Sequence, residues 1–154
     1  MAQEDLGPGV KADLLRRMDE GFGVLTAALA GAPGLRPAPE GGWGPFEVVS
    51  HLNGWHLLSA RRLLQIARGE GASSPPSDDE ANACFVADRR HLSADALLAE
   101  LESSFATLKD AVASVPAREF WLGLHGELDS LAHFIAAANS YEHYAEHLGD
   151  LKTP

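Results

Sequence analysis

The chain has 154 residues, 45% hydrophobic and 22% charged, the size and make-up of one globular domain with room for a buried core. Its formal net charge of −10 excludes nucleic acid as an expected partner, because phosphate binding needs clustered Lys and Arg, and disfavours anionic membrane surfaces for the same reason. A lone cysteine, Cys84, excludes an internal disulfide, and no segment reaches the ~18 unbroken apolar residues of a membrane span.

Residues 1–154 are expected to form a single domain. Residues Met1 to Asp5 are acidic and lack the charged-then-apolar order of a signal peptide, so a cytoplasmic protein is expected. The first helix is predicted from Val10 to Ala30. Its residues Leu14, Met18, Phe22, Leu25 and Leu29 step by 4, 4, 3 and 4, the period of an apolar helical stripe. A Pro/Gly-rich connection follows, from Leu35 to Gly42. Pro45 suits the first turn of a second helix, where its missing N–H costs nothing, and Gly69 suits the C-terminal cap after Ala67. Val48, Leu52, Trp55 and Leu63 form its inward stripe.

Gly69 to Asp79 reads as a polar loop with Pro75 and Pro76, followed by a short helix from Asp79 to Arg90. Ser93 is a good N-cap for the next helix, whose residues Leu97, Leu101, Phe105, Leu108 and Val112 again step by 4, 4, 3 and 4; Pro116 ends it. Residues 117 to 128, with Trp121, Gly123 and Gly126, form a connection. Asp129 or Ser130 then caps one last helix reaching Leu148, with Gly149 at its end. No run alternates with period two, so no sheet is predicted. The expected fold is all-α: a four-helix bundle with a long crossover and one short extra helix.

Three histidines carry the candidate chemistry. His143 and His147 are four residues apart on the last helix, about 40° apart on one face with Cβ atoms roughly 5–6 Å apart. His51 lies on the second helix. Three neutral imidazoles suit zinc, nickel, copper or iron, and three protein ligands leave one position open for water or substrate. The alternative is that His143 and His147 are ordinary histidines near a helix C-terminus, where positive charge is favoured. Residues 143 to 147 also match the H-x-x-E-H metalloprotease pattern, with Glu146 as base, but only seven residues follow His147, too few for the downstream ligand.

Around this site Trp55, four residues after His51, is a candidate pocket wall, although the same residue type is often core. Asn53 and Asn139 are candidate polar groups of a substrate pocket. Trp43 reads as a packing anchor, Glu142 and Glu146 as a solvated face able to accept from an imidazole, and Tyr141 and Tyr144 as hydrogen-bond donors or flank residues. His56 lies about 140° from His51 around its helix and is excluded as a ligand, as are His91 and His133. His125 sits in a loop whose position the sequence leaves open. Asp88, Arg89 and Arg90 read as a solvated helix end, and Cys84 as a small buried hydrophobe.

The chain resembles the DinB-like superfamily. The resemblance rests on Trp43 ahead of a helix carrying His51 and Leu52, on the polar segment from Asp79 to Asn82, and on the terminal helix with His143, His147 and then Gly149. The central segment is similar to the subset near the colibactin self-resistance cyclopropane hydrolases. The sequence departs from the common terminal pattern of two adjacent histidines before Arg-Gly-Gln. The resemblance implies a four-helix bundle with a longer crossover and a divalent metal, zinc or nickel for example, on His51, His143 and His147. It also implies hydrolysis or low-molecular-weight-thiol transfer on a small electrophile, in detoxification or stress response. A metal-free small-molecule binder or hydrolase-like bundle, and a non-catalytic dimeric bundle, are the alternatives. A homodimer is the expected assembly, and no general acid or base is identified.

Overall fold

The computed structural model describes residues 7–32, 34–39, 41–120 and 130–152. They form α1 (Gly7–Ala30), α2 (Pro45–Ala67), α3 (Asp78–Ala87), α4 (Ala94–Ser114), α5 (Leu131–Ala138) and α6 (Tyr141–His147), with 3-10 turns at Ala117–Phe120 and Asp150–Lys152. There is no strand among the described residues. The architecture is an all-α bundle of α1, α2, α4 and the α5–α6 pair, with α3 as the short extra helix.

Local signals place the helix ends. Pro45 opens α2, and Glu47 in its first turn reaches back to accept from the Gly44 N–H. Gly69 follows the last turn of α2 with φ +74°, a backbone region open to glycine at little cost. Ser77, Ser93 and Ser130 each accept a backbone N–H at the start of α3, α4 and α5. Lys11 donates to the Ala113 and Val115 carbonyls, placing a cation at the C-terminal end of α4.

The two predicted apolar stripes become the core. Leu14, Met18, Phe22 and Leu25 of α1 and Leu97, Leu101, Phe105, Leu108 and Val112 of α4 are buried, and Phe22 stacks on Phe105 with centroids 3.9 Å apart. α2 packs most extensively on α4. Asn53 meets Leu97 and Glu100, and His56 meets Ser104, so both chains advance in the same direction and α2 and α4 are parallel. A parallel pair requires the chain to return the full length of the bundle between them. The segment 68–93 with α3 is that crossover. α3 is seated by Phe85, which lies over Gly54 of α2: a Cβ at position 54 would come within 2.1 Å of the Phe85 ring.

Three expectations are corrected. The last helix is broken into α5 and α6. Asn139 donates to the Ile135 carbonyl and Ser140 to the Ala136 carbonyl, so two successive side chains take acceptors near the end of α5, and the backbone leaves the helical region at Ser140 (φ −132°, ψ −113°). Cys84 is exposed, because α3 lies on the outside of the bundle. Arg89 is buried, since α4 offers it a partner: its guanidinium bridges to Glu100 and to the Phe85 carbonyl. Trp121, Gly123, His125, Gly126 and Asp129 lie outside the described residues.

Candidate metal centre

α2 brings His51, and α6 brings His143 and His147, to one point. The Nε2 atom of His51 lies 3.1 Å from Nε2 of His143 and 3.1 Å from Nε2 of His147. One ligand atom from each of the three residues falls within 4.8 Å of the others. Two imidazole nitrogens on one tetrahedral ion, each at about 2.0–2.1 Å from it, stand roughly 3.3 Å apart. The two separations from His51 are close to that figure.

The second nitrogen of two of the rings fixes where the protons are. Nδ1 of His51 lies 2.5 Å from the Val48 carbonyl and 3.3 Å from the Glu47 carbonyl, so it carries the hydrogen and donates it. Nδ1 of His147 donates to the Asp150 carboxylate at 2.8 Å. With both rings in that tautomer and unprotonated, each presents an Nε2 lone pair, and the two lone pairs face each other at 3.1 Å. That contact is repulsive unless a proton or a metal ion lies between them. Protonation is opposed at His51 and His143: burial first, then the repulsion a second charge beside the His147 ring would bring, pushes His51 down to about 4. Burial, with His51 and His147 behind it, pushes His143 down to about 3. Three converging imidazole nitrogens are a donor set that could hold a divalent transition ion. Nδ1 of His143 is buried with no hydrogen-bond partner among the described residues.

The surroundings differ in part from the sequence reading. Trp43 is half exposed and stands edge-on to the His51 ring, centroids 5.2 Å apart, which makes it a wall of the site as well as an anchor. A cleft of about 270 Å³ runs beside His143 and is lined by Trp55, Asn82, Phe134, Asn139 and Glu146. Trp55 is largely buried and donates to the Asn82 side-chain carbonyl, so it serves core and cleft together. Asn139 lines the same cleft. Asn53 does not: it is fully buried on the opposite side of α2, donating to the Leu97 carbonyl and to Glu100. His56, excluded as a ligand by its angle, is fully buried between Ser104 and Tyr144.

Comparison with known proteins agrees with the fold. A family model described as the mycothiol maleylpyruvate isomerase N-terminal domain matches residues 11–147. The chain belongs to that family. The mycothiol maleylpyruvate isomerase N-terminal domain is part of the DinB-like superfamily, so the expected kinship and bundle fold both hold. A crystal structure of an uncharacterised protein from Escherichia coli UTI89 is similar in fold, with TM-score 0.71 and 20% identity over 92% of this chain and 90% of that one. No curated protein matches the chain.

Asp150 is the residue near the centre that the sequence reading passed over. Its signal was available: a carboxylate three residues after a candidate ligand, just past a helix end, is within reach of that ligand's second nitrogen. The sequence pattern points to Glu142 and Glu146 for that acceptor role instead. Trp43 and His56 were noticed without their contacts, which depend on how α2 meets α6.

Proposed function

We propose that His51, His143 and His147 together hold one divalent transition ion, zinc or nickel. We propose further that the site acts on a small electrophile, by hydrolysis or by transfer of a low-molecular-weight thiol. The observation that carries the reading is the pair of Nε2 atoms of His51 and His147 held 3.1 Å apart, each ring fixed by an acceptor on its far side, the Val48 carbonyl and the Asp150 carboxylate. Such an ion, when bound, has a position open for water or a thiol and lowers the pKa of whichever group occupies it.

The chain's own residues do the rest. The Val48 carbonyl and Asp150 hold two rings in the tautomer that offers Nε2. Trp43 excludes water from one side of His51. The cleft beside His143 offers an apolar wall at Trp55 and Phe134 and amide groups at Asn82 and Asn139, enough to seat a small molecule. The family description names mycothiol, which points to a thiol co-substrate, and removal of reactive electrophiles in detoxification or stress fits such chemistry.

The test incubates zinc-loaded protein with a low-molecular-weight thiol and a panel of small electrophiles, and follows thioether and hydrolysis products by mass spectrometry. Turnover by wild type and none by His51→Ala is the expected result. Turnover that survives in His51→Ala contradicts the reading.

A further inference from the structure

The centre depends on a helix of only seven residues. Helices below about 12–15 residues have little persistence of their own, so the orientation of α6 has to come from what it touches. α1 fixes how closely α6 lies. Gly21 leaves no room for a side chain there, since an added Cβ would fall 2.5 Å from the Tyr141 Cβ. Close approach does not fix rotation about the helix axis, and rotation is what aims His143 and His147.

A polar contact inside the bundle supplies that constraint. Tyr144 lies between the two ligands in sequence, and its hydroxyl meets Nε2 of His56 at 2.5 Å, both residues being fully buried. His56 is five residues after His51, so α2 touches α6 at two points: His51 with the two histidines, and His56 with Tyr144. Nδ1 of His56 meets Ser104 Oγ of α4 at 2.8 Å, and Ser104 reaches the Leu101 carbonyl at 3.2 Å and the Asn53 side-chain carbonyl at 3.4 Å. One direction of donation satisfies every atom. Tyr144 donates to Nε2 of His56, Nδ1–H of His56 donates to Ser104, and Ser104 donates to Leu101 or Asn53. The reverse leaves the phenolic hydrogen buried without an acceptor, a penalty that native interiors avoid. The chain of bonds is therefore directional, and it starts on the part of α6 that carries the ligands.

We propose that Tyr144, held through His56 by Ser104, is a positioning residue for the metal centre: its hydroxyl sets the rotation of α6 that brings His143 and His147 to the same point as His51. This inference rests on the metal reading above. Tyr144→Phe keeps the ring, with its contacts to Phe22 and His56, and removes only the hydroxyl.

The experiment measures zinc affinity by competition with a chromophoric chelator, and the visible spectrum of the cobalt-substituted protein, for wild type, Tyr144→Phe and Ser104→Ala. Tyr144→Phe is expected to bind zinc ~10–100-fold more weakly and to show an altered cobalt spectrum, the range found when groups behind metal ligands are removed. Ser104→Ala, which frees the His56 ring and leaves Tyr144 intact, is expected to move both readouts the same way by a smaller factor, and it decides the matter if Tyr144→Phe does not fold. A lower unfolding temperature with wild-type affinity and spectrum in the folded variants means that the contact is structural only, and overturns the inference alone. A wild type that takes up neither zinc nor cobalt sinks the metal reading and this inference with it.

Discussion

Asp150 does for His147 what the Val48 carbonyl does for His51, but only the first can be removed by substitution. Asp150→Ala leaves Nδ1 of His147 free to lose its hydrogen and the ring free to turn. Zinc affinity is expected to fall about 10-fold or more, measured by chelator competition. The Asp150 side chain is 52% exposed, so the unfolding temperature of the metal-free protein should barely change. Acid acts on His56 as well as on the buried ligands. Burial, with the charge of His51 behind it, pushes His56 down to about 3 from an ordinary 6.5. The unfolded chain thus takes up a proton as pH falls through 6.5 while the folded chain does not. Stability from this group is complete above pH 6.5 and is lost progressively toward pH 3. The urea midpoint of metal-free protein should drop between pH 7 and pH 5; His51 and His143 contribute with the same sign, so His56→Gln should make that drop shallower without abolishing it, and an equally steep fall in the variant would show that His56 does not titrate on unfolding.

Close helix approach at glycine is the lever for the elements. Gly54→Ala would force the Phe85 ring off α2 and with it α3, at a cost of roughly 1–3 kcal/mol for overpacking, read in thermal unfolding. The emission of Trp55, which packs on Phe85, should shift to the red as that contact opens. Gly21→Ala would push α6 away from α1, and zinc affinity should weaken even though no ligand is touched. The helices themselves were legible because their ends carry local chemistry: Pro45, Gly69, Ser93 and Ser130 each act within a few residues. The break at Asn139 and Ser140 was not legible. Both residues are tolerated inside helices, and the carbonyls they capture would have been equally available had the helix continued. Asn53 was misplaced for a simpler reason. It is two residues from His51, about 200° around α2, and that angle alone sends it toward α4.

Across the whole molecule, the periodic stripes of α1 and α4 made the core readable, while the direction in which the second nitrogen of each histidine points depended on tertiary contacts. Burial of Leu101 and Leu108 is complete or nearly so, and Leu101→Ala should cost about 2–5 kcal/mol in urea unfolding without changing which residues meet at the centre. The central claim is that folding delivers His51, His143 and His147 to one ion. Its most direct measurement is the metal content of protein exposed to excess zinc and then exhaustively dialysed, for wild type and for His51→Ala, His143→Ala and His147→Ala. The account predicts one zinc per wild-type chain and substoichiometric zinc in each variant. Wild-type chain free of zinc, or variants that keep a full equivalent, would contradict it.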